Sequence, residues 1–310
     1  MLFVFPGQGS QKIGMGKDIY DNFQSAKDVF HETDDALSFK LSDLIFNGTE
    51  DEIKATENTQ PALMTVSMAF VEVLRKEFGV DIGQKADFFA GHSLGEYTAL
   101  CASQAISRAD AAKILRIRGA AMARACPTGG AMAAIIGLDQ EIVEKIVLES
   151  GSEEEVIQIA NDNSFGQIVI SGHRSAVEKA AEKASAAKAK KVAMLEVSGP
   201  FHSRLMSGAI ADILEPLENM VFYTPVKPII SNVTAKAEVD NFPVLLQEQI
   251  VKPVRWRESI LFAESNSVSK CVEIGPGKVL LGLVKRTSPS MELISVNSIE
   301  SLENFARTQC

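Results

Sequence analysis

A chain of 310 residues that is 46% hydrophobic and 23% charged can bury a large core, which excludes disordered and fibrous classes. Its formal charge of −9 argues against a general binder of nucleic acid or anionic membrane, which needs a basic surface. No stretch approaches the roughly 20 apolar residues of a membrane span, and Met1-Leu2-Phe3-Val4-Phe5 lacks the basic start and the length of a signal peptide, so a cytoplasmic location is expected. Cys101, Cys126, Cys271 and Cys310 form no C-x-x-C pair and no metal-ligand spacing with histidine. Free thiols and no metal site are expected.

Residues 2–5 read as a first strand and Pro6-Gly7-Gln8-Gly9-Ser10-Gln11 as a Gly-rich loop. A run of helices follows, among them a long apolar one over 62–78. A short strand over 86–90 then precedes Glu96, Tyr97, Ala99, Leu100 and Cys101 at helical spacing, and a further helix covers 109–124. Pro127-Thr128-Gly129-Gly130 breaks the pattern like a hinge, and the order changes: a strand at 131–137, a helix at 140–149, strands at 156–160 and 167–171, a helix at 175–187 and a strand at 192–197. This β-α-β-β-α-β order is the ferredoxin-like arrangement, expected as an inserted small subdomain over 127–197. The main unit, 1–126 and 198–310, resumes with a helix after His202, a strand at 228–231, helices near Val244 and Glu258, and a buried strand at 271–274. That strand leads through Gly275-Pro276-Gly277 into a helix reaching Arg286. Alternation of strands and helices predicts an α/β fold with a largely parallel sheet.

Gly91-His92-Ser93-Leu94-Gly95 sits where the strand before it turns into the helix after it. Glycines on both sides of Ser93 permit a strained turn that exposes the hydroxyl beside free helix N–H groups. Those donors suit the oxyanion of a tetrahedral intermediate. G-x-S-x-G recurs by chance in long sequences, so its weight comes from the flanking strand and helix.

A serine nucleophile needs a base within hydrogen-bond reach, and the chain has four histidines. His31 has charged neighbours in an early helix and reads as a surface residue. His92 adjoins Ser93, where side chains diverge, so a packing or hydrogen-bonding role is expected. His173 lies in a polar turn of the inserted unit. His202 follows an apolar strand and a Gly-Pro turn, where catalytic groups gather in α/β folds. Spacing alone leaves it either the base or the cap of a helix beginning at Ser203. Asp162, the obvious carboxylate between Ser93 and His202, falls in the inserted unit and is not assigned; a backbone or amide carbonyl orienting His202 would make a dyad.

Arg118 has Ile114, Leu115 and Met122 at helical spacing, so it projects from an apolar stripe. A guanidinium there is either paired in a structural ion pair or free to clamp a substrate carboxylate. Lys183, Lys188, Lys190 and Lys191 form a basic run on an acidic protein. It reads as a solvated helix face or as a contact for an acidic partner.

With these residues in hand, the chain resembles the malonyl-CoA:acyl carrier protein transacylases of bacterial fatty acid synthesis. The likeness covers nearly the whole length. It rests on Phe5-Pro6-Gly7-Gln8-Gly9-Ser10-Gln11, Thr59-Gln60-Pro61-Ala62, Gly91-His92-Ser93-Leu94-Gly95-Glu96, Gly130-Ala131-Met132-Ala133-Ala134, Gly199-Pro200-Phe201-His202-Ser203 and Val272-Glu273-Ile274-Gly275-Pro276-Gly277-Lys278. The resemblance implies a hydrolase-like parallel-sheet large subdomain with an inserted ferredoxin-like small one. It also implies that Ser93 is the nucleophile, His202 its base, and the N–H groups of Gln8 and Leu94 the oxyanion donors. Arg118 would grip the malonyl carboxylate, and the backbone carbonyl of Gln249, ahead of Lys252-Pro253-Val254-Arg255-Trp256, would orient His202. Phe201 is similar to the bulky residue that marks malonyl-specific members. Malonyl-CoA and CoA would be substrate and product, with no cofactor and no metal. Acyl carrier protein would be the partner, without nucleic acid or membrane. The family often has Asn-Ser-Pro-Gly-Gln where this chain has Asn163-Ser164-Phe165-Gly166-Gln167, which leaves the shape of that loop open.

Three rival readings remain. A free-standing acyltransferase of a polyketide synthase would use the same residues, and genomic neighbours would separate it. A serine esterase or thioesterase is favoured by the elbow but not by Arg118 or the missing acid. A non-enzymatic carrier-docking module would bind carrier without acylating Ser93.

Overall fold

The computed structural model describes residues 1–309, and the strands among them form two sheets. In chain order they are β1 Leu2–Phe5, β2 Phe88–Gly91, β3 Gly130–Ile136, β4 Ile157–Ser164, β5 Gln167–His173, β6 Lys191–Met194, β7 Ile229–Ile230, β8 Ala237–Glu238, β9 Lys270–Ile274 and β10 Glu292–Val296. One sheet has the order β10-β9-β1-β2-β7-β8 and the other β4-β5-β3-β6. In the first, all pairings are parallel except the short β7–β8 hairpin. Every pairing in the second is antiparallel.

Buried on both faces, β1 is apolar at every position, as a central parallel strand must be. Its pleat divides the core: Phe3 and Phe5 pack with the helix Thr56–Glu77, whereas Leu2 and Val4 pack with Trp256 and Ile260 of the helix Trp256–Ser265. Helices therefore cover both faces of this sheet. The four-stranded sheet has its own core, built around Ile135, Ile170, Val143 and Val177. Its strand order is the one the ferredoxin-like β-α-β-β-α-β sequence predicts.

Several expected boundaries move. The long apolar helix begins at Thr56, not at 62, and Pro61 lies inside it. Gly119 explains the close fit there, since a Cβ on it would stand 2.5 Å from the Thr56 carbonyl. The strand expected at 86–90 is Phe88–Gly91, because Ala86 ends a short helix over Ile82–Lys85. The last strand of the small sheet stops at Met194, and Leu195, Glu196 and Val197 leave it to line a cavity. After His202 there is no α-helix beginning at Ser203; a 3-10 turn over Arg204–Met206 precedes the helix Gly208–Asn219. β8, β10 and the helix Ile299–Gln309 were not anticipated. Cys101, Cys126 and Cys271 are free thiols, and Cys310 lies outside the described residues. No helix among the described residues is long and apolar enough to cross a membrane.

Candidate active site

Parallel pairing of β1 and β2 brings the Gly-rich loop after Phe5 beside the turn after Gly91, so Gln8 and Ser93 come from adjacent strand ends. The turn is as tight as its glycines suggest. A Cβ on Gly91 would lie 1.9 Å from the Gly95 carbonyl, and one on Gly95 would lie 2.3 Å from the Phe5 carbonyl oxygen. Ser93 has φ 53° and ψ −108°, a conformation that costs a non-glycine residue about 1–3 kcal/mol. Neighbouring groups hold it there. The Ser93 N–H donates to Asn232 Oδ1 at 2.8 Å, and the Ser93 carbonyl accepts from Gln249 Nε2 at 3.1 Å. The Asn232 amide also donates to the Gly91 carbonyl at 2.7 Å, tying β2 to the loop after β7.

His202 lies 2.8 Å from Ser93 Oγ through its Nε2. Its Nδ1 is 2.8 Å from the Gln249 backbone carbonyl, an acceptor only, so the ring proton sits on Nδ1 and the Nε2 lone pair faces the serine. The helix-cap alternative for His202 is thereby set aside. Burial pushes its imidazole down to about 3, and the Arg118 charge adds to this against the raising effect of the Gln249 carbonyl. His202 is therefore neutral, and able to accept a proton, across the physiological range.

Arg118 is 1% exposed, as the apolar stripe implied. The ion-pair alternative does not hold: its hydrogen bonds go to neutral groups, Gln60 Oε1 at 2.7 Å, Gln249 Oε1 at 2.9 Å and Ser93 Oγ at 3.0 Å. Its Nε has no partner among the described residues, and the guanidinium stands over the Tyr97 ring at 5.4 Å. Gln8, Ser93, Leu94, Arg118, Phe201 and His202 all line one cavity of about 320 Å³. The Gln8 and Leu94 N–H groups donate to no protein acceptor among the described residues, as an oxyanion site requires. Phe201 is buried beside His202.

Of the remaining histidines, His31 and His173 lie away from the cavity and His92 lines it. His31 is exposed and meets the Tyr20 hydroxyl at 3.1 Å; His173 Nδ1 accepts from the Val156 N–H at 2.8 Å. His92 Nε2 meets Asn163 Oδ1 at 2.8 Å and its ring packs on Trp256, the bracing role expected of it. Asp162 forms an ion pair with Arg257 at 2.8 Å, away from His202. Lys183 is held by Glu149 at 2.9 Å, so only Lys188, Lys190 and Lys191 of the basic run stay unpaired among the described residues. Phe165 and Gly166 form the β4–β5 turn, with Gly166 at φ 66°. No group of three His, Cys, Asp or Glu among the described residues is placed to hold a metal ion. Sequence reasoning missed Asn232 and the side chains of Gln60, Gln249 and Glu96. Gln60 and Glu96 fell inside motifs already singled out, whereas Asn232 carried no signal.

A strained serine at a strand end, a buried histidine and a cation in one cavity define a serine-dependent acyl-transfer enzyme. The model of the acyl transferase domain family matches residues 2–304, and the chain belongs to that family. It is 46% identical to the malonyl CoA-acyl carrier protein transacylase of Bacillus subtilis, over 99% of this chain and 96% of the relative. It is also similar to the solved acyl-carrier-protein-S-malonyltransferase of Bartonella henselae, with TM-score 0.95 and 48% identity over 99% of this chain and 98% of that one. A solved complex of a type II PKS acyl-carrier protein with its malonyl-transacylase matches with TM-score 0.94 and 37% identity, over 99% of both chains.

Proposed function

We propose that the chain transfers the malonyl group of malonyl-CoA to the phosphopantetheine thiol of acyl carrier protein, in fatty acid synthesis, through a malonyl ester on Ser93. One observation carries the reading: Ser93 Oγ lies 2.8 Å from His202 Nε2 and 3.0 Å from an Arg118 nitrogen, so nucleophile, base and buried cation meet at one atom. Ser93 Oγ attacks the thioester carbonyl while Nε2 takes its proton, and the Gln8 and Leu94 N–H groups hold the oxyanion. CoA leaves with the proton from the imidazolium. The carrier thiol then gives its proton to Nε2 and attacks the ester carbonyl, and the imidazolium returns that proton to Ser93 Oγ as it leaves. Arg118 binds the malonyl carboxylate, and Phe201 bounds the space around the acyl α-carbon.

A carbonyl rather than a carboxylate on His202 Nδ1 weighs against the thioesterase reading. The likeness to a transacylase solved with a polyketide carrier supports one alternative, the same transfer to a polyketide carrier protein. Comparing kcat/KM for the two carriers separates them. Two further parts belong to the proposal: residues 127–197 are the inserted subdomain between 1–126 and 198–310, and the enzyme is cytoplasmic and works without a cofactor. The three free thiols among the described residues suit a reducing compartment. Intact mass spectrometry after brief exposure to malonyl-CoA should show one malonyl adduct, mapped to Ser93 and missing in Ser93→Ala. An adduct on a cysteine or on another serine would refute the mechanism.

A further inference from the structure

Behind Ser93 the hydrogen bonds lead to a carboxylate that the transfer chemistry leaves unused. A guanidinium as buried as Arg118 needs an opposite charge nearby, yet its direct partners are neutral. Glu96, on the first turn of the helix Leu94–Ala102 and itself 1% exposed, lies one amide away. Gln249 donates its Nε2 to Glu96 at 2.6 Å and accepts from Arg118 at its Oε1 at 2.9 Å. Each end dictates the amide's orientation, because a guanidinium only donates and a carboxylate only accepts. The Asn232 N–H also donates to Glu96, at 3.2 Å. Burial lifts the Glu96 carboxyl to about 7, so it is ionised at pH 8.

We infer that Glu96 is a positioning residue, the counter-charge of Arg118 held at one remove with Gln249 as the spacer. The inference rests on the malonyl-transfer reading above. A carboxylate in direct contact would occupy the guanidinium's donors and compete with the carboxylate of the substrate. Held behind an amide, Glu96 balances the charge through space. It leaves the unpartnered Nε and the ligand-facing edge of Arg118 available. Burial and recognition make opposite demands on the arginine, and the spacer meets both.

Exchanging the two groups, Glu96→Gln together with Gln249→Glu, tests this. The pair of groups and the net charge are conserved, but the carboxylate now lies directly on Arg118. Because the exchange also removes the Gln249 Nε2 donor from the Ser93 carbonyl, acylation by acetyl-CoA is the baseline against which the loss with malonyl-CoA is read. The KM for malonyl-CoA should rise roughly 10- to 100-fold, the range of a charge-assisted contact. Glu96→Gln alone removes the counter-charge and keeps the spacer. At pH 8 the KM for malonyl-CoA and the inhibition constant of free malonate should then fall about three- to tenfold, as the Arg118 charge goes unopposed. A role confined to packing gives equal losses with malonyl-CoA and acetyl-CoA; that result, or a malonyl KM unchanged in both variants, overturns the inference. Wild type is measured first. Absence of a malonyl adduct there refutes the transfer reading, whereas a malonylated wild type without these KM shifts refutes only the role of Glu96. Should the exchanged protein fail to fold, malonate inhibition of Glu96→Gln decides the question.

Discussion

At the cavity, the six-stranded sheet and its connections present residues in strained backbone, while the four-stranded sheet presents ordinary backbone and side chains. Ser93 and His202 both have positive φ, 53° and 55°, whereas Met132, Asn161, Leu195, Glu196 and Val197, which line the same cavity, do not. Strain of this kind persists only where the surroundings over-determine it. Asn232 and Gln249 do so here for Ser93. The contrast teaches that the residues given roles in the proposed transfer all come from the six-stranded sheet's unit, whereas the other contributes cavity lining alone. Substitutions on the two sides should therefore differ in kind as well as in size.

His202→Ala tests the reacting side most severely and should slow acylation of Ser93 by about 10² to 10⁴ in single-turnover measurements. The contrast breaks if the loss is under tenfold. With the imidazole pushed down to about 3, the wild-type acylation rate should show no fall near pH 6.5, the ordinary imidazole midpoint. Stability should behave otherwise. Between the ordinary midpoint and the folded value the unfolded chain holds a proton that folded His202 does not, so the His202 contribution is lost as pH falls below about 6.5.

A smaller effect is expected where the reacting side meets the substrate's shape. Phe201 should crowd a branch at the α-carbon, and one methyl group is worth about 1–3 kcal/mol in a fitted pocket, giving roughly 10- to 200-fold preference for malonyl over methylmalonyl. Phe201→Ser should reduce that ratio, and Arg118→Ala should shift preference toward acetyl-CoA. Competition assays check both; equal use of the three thioesters by wild type would remove the selectivity argument.

The smallest effect belongs to the other sheet's unit. Replacing Lys188, Lys190 and Lys191 with glutamine should raise the carrier KM a few-fold at low salt and leave the malonyl-CoA KM unchanged. A rise in both would show that these lysines act on the fold and not on the encounter.

Much of this arrangement was legible from local pattern. β1, the elbow and the β-α-β-β-α-β order announce themselves through apolar runs punctuated by Gly and Pro, and Arg118 through helical spacing alone. What escaped depends on tertiary closure. Pro61 looks like a helix start, yet buried polar partners, such as the Thr59 hydroxyl donating to the Ile53 carbonyl at 2.5 Å, carry the helix back to Thr56. β10 is an edge strand that opens on Glu292 and whose apolar run is broken by Ser295. Asn232 reads as one polar residue in a loop until β7 pairs with β2 and sets its amide under Ser93. Its function is a property of the pairing and not of the segment.

Gly130 packs so closely on Pro200 that a Cβ there would stand 2.4 Å from the proline ring. The chain thus enters and leaves the four-stranded sheet at nearly the same point. In terms of chain entropy, that sheet is a closed loop, and each doubling of a loop's length costs only about 0.6 kcal/mol. Because Ser93 lies before the loop and His202 and Asn232 after it, the serine meets neither the imidazole nor the amide beside it until the loop closes. Residues added within the turns of that sheet should therefore cost little, provided its two ends still meet at Gly130 and Pro200.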